Sequence, residues 1–135
     1  MIDYSRYPRP ESMAYFEKAM HRHDRVEGFE KLEDYYYRIL RYGMSPVNVV
    51  ITNYYTLGYG ELLDILEKYP KTNCVITISN WNGCTGQAYR EGKKKGIGVF
   101  KMEEFMGAIN CVNACTYIRP IDREDNDRFG RGIGH

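Results

Sequence analysis

Residues 72–110, TNCVITISNWNGCTGQAYREGKKKGIGVFKMEEFMGAIN, decide the fold, because they spell strand, polar loop, helix, strand and short helix in that order. The apolar run at 74–78 predicts a strand buried on both faces, and it breaks off at Ser79, Asn80, Trp81 and Asn82. A helix opens near Thr85, which can cap it, and Gly96 closes it. Lys93, Lys94 and Lys95 fall in its last turn, where cations complement the helix dipole. The run 97–100 predicts a short strand, and 102–109 a closing helix with Glu103 and Glu104 in its first turn. Polar groups are thus concentrated where a strand hands over to a helix, the usual ligand position in open α/β sheets.

Upstream, Pro46 introduces a β-branched run at 47–52, again the pattern of a strand covered on both faces. Residues 61–69 predict a helix with Leu62, Leu63, Ile65 and Leu66 as its apolar stripe, ended by Pro70. Strand, helix and strand make a βαβ crossover, so the two strands should be parallel. Earlier still, Phe29, Leu32, Tyr36, Ile39 and Leu40 recur at helical spacing, predicting an amphipathic helix over 26–41 that ends near Gly43. Tyr35, Tyr36 and Tyr37 would then point in different directions as partly buried surface aromatics. A short helix capped by Ser12 and running to about His23 would belong to a surface arm.

Beyond Ile118 the composition changes to RPIDREDNDRFGRGIGH, in which Arg119, Arg123, Arg128 and Arg131 alternate with Asp122, Glu124, Asp125 and Asp127. Such a segment is expected to be a flexible, solvated tail, its charges largely cancelling. The expected plan is a helical N-terminal arm over 1–25, an α/β domain over 26–118 and a flexible charged tail over 119–135. The domain should be a single three-layer unit with a small, mostly parallel sheet, Rossmann-like in its element order.

Composition bounds the function. At 135 residues, 43% of them hydrophobic, the chain can bury one substantial core. Nineteen Lys and Arg against 18 Asp and Glu leave a net charge of +1, which creates no global field toward nucleic acid or an anionic membrane. No apolar run approaches the ~20 residues needed to span a bilayer, and MIDYSRYPRPES has no apolar signal-peptide core, so a cytoplasmic protein without membrane contact is expected. Cys74, Cys84, Cys111 and Cys115 are then expected to be reduced. Cys111 and Cys115 with His21 and His23 have poor spacing for zinc, and neither a metal nor a cofactor is predicted.

Two stretches end alike. VVITNYYT (49–56) and VITISNWN (75–82) both finish in a hydroxyl-bearing residue, an asparagine and an aromatic. Asn53 with Tyr54 and Asn80 with Trp81 are thereby placed at the carboxyl edge of neighbouring strands. Asparagine amides donate and accept, and aromatic rings stack on flat ligands, so the set could hold a nucleobase or nucleotide. Asn82 and Thr85 extend it, since the glycines of the 82–86 loop permit close backbone approach and a helix start favours an anion. The competing reading is purely structural: asparagines for turn conformations, aromatics as lids on the core. No Walker loop, GxGxxG fingerprint or GxSxG elbow is present, and Cys84, placed where a helix start can lower its pKa, has no histidine nearby in sequence.

The run CVITISNWNGCTGQAYREGKKKGIGVFKMEEFMGAI resembles the closing half of Mrr-type restriction endonuclease domains, where a buried strand, a polar turn, a helix, a short strand and a helix complete the core. GFEKLEDYYYRIL is similar to the first helix of such domains. The resemblance covers about a third of the chain and implies a nuclease-like scaffold, so that the three-layer domain would be restriction-endonuclease-like rather than Rossmann-like. In that family an Asp, then an acidic residue and a lysine two positions apart on an adjacent strand, bind a divalent metal. No such set stands between the first helix and the closing half here. Glu91 and Lys93 have the spacing but fall on a predicted helix, so no catalytic residue is carried over. Three functions stay open: a non-cleaving nuclease-fold protein binding nucleic acid or a nucleotide, perhaps accessory to a mobile element or defence system; a small-molecule or nucleotide-processing enzyme using Asp3, His21, His23 or Asp24; and a tyrosine-rich module for a protein partner or a second copy.

Overall fold

Pro10 starts helix α1 (Pro10–Arg22), a position where its missing N–H is no loss. The computed structural model describes residues 7–79 and 82–122. Three strands follow as an antiparallel meander: β1 (Val26–Glu33), β2 (Tyr36–Arg41) and β3 (Met44–Thr52). The short β4 (Thr56–Leu57) leads into α2 (Tyr59–Lys68), and the chain then runs through β5 (Cys74–Thr77), β6 (Gly83–Cys84), α3 (Gly86–Lys94), β7 (Gly98–Lys101) and α4 (Met102–Ala108). A 3-10 turn at Ala114–Thr116 comes last, before a helical turn at 120–122.

The main sheet has the order β1-β2-β3-β5-β7, and β4 pairs with β6 in a miniature sheet beside it. The β3/β5, β5/β7 and β4/β6 pairings are parallel, whereas β1/β2 and β2/β3 are antiparallel. The molecule is therefore an α/β protein, with the predicted βαβ crossover in place and Ile51 level with Ile76, Ile76 with Phe100.

Side chains alternate across the sheet and so divide the interior in two. Val49, Ile51, Cys74, Ile76 and Phe100 join Phe16 and Met20 of α1 and Met102, Phe105 and Ala108 of α4 on one face. Val75 and Val99 face the other way and meet Leu57, Leu62 and Ile97, with Ile65 and Leu66 at the margin. All four residues of β5 are buried, as its uninterrupted apolar run requires. Gly96 ends α3 at φ +80: its N–H donates to Lys93 O (3.0 Å) and that of Ile97 to Gly92 O (2.8 Å), the paired bonds of a Schellman motif.

The segment at 26–41 departs from expectation. It is not an amphipathic helix but the β1/β2 hairpin, so the likeness of GFEKLEDYYYRIL to a first helix does not hold for its conformation. Tyr37, Ile39 and Arg41 alternate inward, a period of two. Tyr37 is wholly buried rather than a surface aromatic, its hydroxyl donating to Glu17 Oε2 at 2.5 Å. The helix expected in a surface arm instead packs Phe16 and Met20 into the core, both with no exposed area. Leu63, placed in the apolar stripe, is 41% exposed. Among the described residues no helix is long and apolar enough to cross a membrane.

Candidate functional site

The sequence candidates divide on inspection. Asn53 follows β3 and Asn82 precedes β6, and they meet: Asn82 Nδ2 donates to Asn53 Oδ1 at 2.8 Å, with Asn82 buried. This one bond between their amides ties the loops after β3 and β5 together. The Gly83 N–H to Tyr55 O (2.9 Å) and Thr85 N–H to Leu57 O (2.9 Å) bonds complete this tie through the miniature sheet. Thr85 Oγ1 accepts the Ala88 N–H at 3.0 Å and so caps α3. Tyr54 packs half-buried against the second core and lines a separate small groove of about 190 Å³ with Tyr35, Lys68 and Tyr69. Asn80 and Trp81, and the expected tail at 123–135, lie outside the described residues.

One strand further along the same carboxyl edge is a cleft of about 480 Å³. Its floor is Thr77 at the end of β5, Cys84 of β6 and Phe100 with Lys101 at the end of β7. Glu103 and Glu104, the first turn of α4, form one wall, and Tyr117, Arg119, Pro120 and Ile121 form the other. Parallel strands ending level with one another leave such a gap where their connections diverge, here because α3 covers one face of the sheet and α4 the other.

Five charged side chains set its electrostatics. Arg119, read from sequence as part of a solvated tail, is folded back instead: its guanidinium lies 3.5 Å above the Tyr89 ring and grips Asp122 with two bonds, Nε to Oδ2 at 2.8 Å and Nη2 to Oδ1 at 3.3 Å. Burial would lower the Arg119 pKa, but the Asp122 bond and charge outweigh it and the net shift is upward. Asp122 is held below the usual carboxylate range chiefly by that same bond. Glu104 Oε1 accepts the Lys101 N–H at 2.8 Å, which fixes the start of α4 and leaves the Lys101 amine on the exposed side. Burial pushes the Cys84 thiol up, with Arg119 and Lys101 opposing and Glu104 adding, so the thiol is neutral and the lowered pKa expected of it is not found.

Of the arm residues considered as acids or bases, His21, His23 and Asp24 do not line this cleft. His23 Nε2 donates to Met106 O at 2.8 Å while its Nδ1 accepts the Arg25 N–H, and His21 lies against Phe29. Asp3 lies outside the described residues. Among the described residues no three His, Cys, Asp or Glu side chains gather so as to hold a metal ion. The cleft presents two cations flanked by carboxylates, over a floor of one hydroxyl, one thiol and an aromatic edge. Lys101 escaped the sequence reading, and Arg119 entered it only as one of four tail arginines that could touch phosphates but whose acidic neighbours cancel them; the two come from different elements, although a lysine ending a buried strand was a usable sign. Set against protein-family models, curated proteins and solved structures, the chain matches none.

Proposed function

We propose that the chain is a nuclease-like protein that binds a nucleotide, or the end of a nucleic acid strand, without cutting it. The observation that carries this reading is the cleft of about 480 Å³ at the carboxyl ends of β5 and β7, lined by Lys101 and Arg119. Its volume suits a nucleotide-sized ligand, and the two cations give an anion a place in it. The order β5, polar turn, α3, β7, α4 supports the nuclease-like reading of the closing half. The absence of any Asp or Glu from β2, β3, β5 and β7 supports binding over metal-dependent cleavage. Tyr55, 74% exposed in the loop after β3, adds an aromatic face near this edge.

Thermal unfolding against nucleotides and short single- and double-stranded oligonucleotides tests it, with Lys101→Gln as the comparison. A ligand at a hundredfold excess over its Kd stabilises by about 2.7 kcal/mol, so the midpoint should rise by several degrees in the wild type and by less in the variant. No rise with any nucleotide or oligonucleotide would overturn the proposal.

A further inference from the structure

The cleft contains a cation that is already occupied. Arg119 is set in two ways at once, stacked flat on Tyr89 and forked onto Asp122. The stack is a contact separate from the carboxylate, and the fork is the geometry with which arginine takes carboxylates and phosphates alike. Asp122 is only three residues along the chain and a third exposed, so a change of its rotamer is enough to release the fork. Beneath it, the Tyr89 hydroxyl is buried and makes no hydrogen bond of ordinary geometry among the described residues; its one approach is to the Asp122 carboxylate, which it helps in a small way to hold ionised. A carboxylate has two oxygens, and here both face Arg119. A phosphate brings at least three, enough to keep the fork and also supply the hydroxyl.

We propose that Asp122 is an internal stand-in for a ligand's phosphate, and that a phosphate group entering the cleft displaces it from Arg119. This rests on the reading of the cleft as the ligand site and names the group by which the ligand is held. The Arg119–Asp122 pair then keeps the empty site closed, and binding exchanges one bidentate partner for another.

The experiment titrates inorganic phosphate and adenosine 5′-monophosphate calorimetrically into the wild type, Asp122→Asn and Arg119→Lys, with urea unfolding of each variant as the control for folding. Asp122→Asn removes the competitor and should bind both probes about fivefold tighter, the scale of a partly exposed ion pair. Arg119→Lys keeps the charge but not the fork and should bind both at least tenfold more weakly. If the nucleotide binds wild type and Asp122→Asn equally, the pair is a structural strap and the inference fails while the nucleotide reading stands. If Asp122→Asn gains affinity for phosphate and the nucleotide binds no better than phosphate, the inference stands and the nucleotide reading falls. Binding of neither probe to any folded variant overturns both.

Discussion

Arg41 is the most heavily bonded side chain in the described structure, and it sits where a hydrocarbon would be expected. Only 4% exposed, it donates from Nη1 to Ile109 O (2.9 Å) and Cys111 O (2.6 Å), from Nη2 to Val112 O (3.1 Å) and from Nε to Ser45 O (2.8 Å). The carbonyls at the end of a helix have no partners within it, and this guanidinium supplies them from the far strand. Burial presses its pKa down, but an arginine still stays charged at neutral pH. Arg41→Met should lower unfolding free energy in urea by about 3 kcal/mol, because four carbonyls, that of buried Ile109 among them, lose their donor at once. Arg41→Lys should recover only part of this, since one ammonium cannot span donors set by a planar fork. A loss below about 1 kcal/mol in Arg41→Met would mean that water replaces the guanidinium. Nothing in the sequence marked this residue, because three of its four partners, Ile109, Cys111 and Val112, lie far along the chain. The Asn53 and Asn82 pair was legible as polar residues at one sheet edge, but not that the Asn82 amide would donate to Asn53.

Among the elements, those with one strong local pattern were legible and those with two were not. Strands β3, β5 and β7 and helices α2, α3 and α4 follow from unbroken apolar runs, from Pro46 and Pro70, and from the Thr85 and Gly96 caps. The hairpin over 26–41 was not legible, because Phe29, Leu32, Tyr36 and Ile39 satisfy a helical period while the true alternation, Tyr37, Ile39 and Arg41, hides behind a buried arginine. A glycine comparison tests how helices meet the sheet. A Cβ on Gly92 of α3 would stand 3.0 Å from Val99 Cγ2, 3.1 Å from Ile97 O and 3.2 Å from Leu62 Cδ2, whereas one on Gly60 of α2 would meet nothing within 4 Å. Gly60→Ala should therefore stabilise by up to about 1 kcal/mol through the unfolded chain and helix propensity. Gly92→Ala carries the same gain against the carbonyl of Ile97, the residue whose N–H closes the Schellman motif, and should destabilise by about 1 to 2 kcal/mol. Matching shifts of one sign in thermal denaturation of the two variants would refute the close approach of α3 to β7.

At the scale of the whole molecule, α1 and α4 share one core with the middle of the sheet, so the N-terminal helix is part of the folding unit and Phe16→Ala should cost about 3 to 5 kcal/mol in a single cooperative transition. The same core ties stability to pH. Burial, then the Glu17 bond and charge, raises the Tyr37 pKa far above that of a free phenol, and burial, with Cys115 adding and Gly98 and Arg41 opposing, does the same for Cys74. Both groups hold their protons more tightly folded than unfolded. Their contribution is complete below the unfolded values, about 8.5 for the thiol and about 10 for the phenol, and is lost as pH rises through the interval up to the folded ones. Stability under reducing conditions should accordingly fall from about pH 8.5 and more steeply from about pH 10. Each such group removes close to 1.4 kcal/mol per pH unit within its interval. Cys74→Ala, less stable than the wild type at pH 7 because of its small cavity, should lose less on the way up, and the gap between them should narrow by about that amount per unit above pH 8.5. Tyr37→Phe should narrow the gap only above about pH 10. Urea midpoints and slopes at pH 7, 9, 10 and 10.5 measure both, and parallel curves for wild type and Cys74→Ala would show that the buried thiol ionises without opening the core.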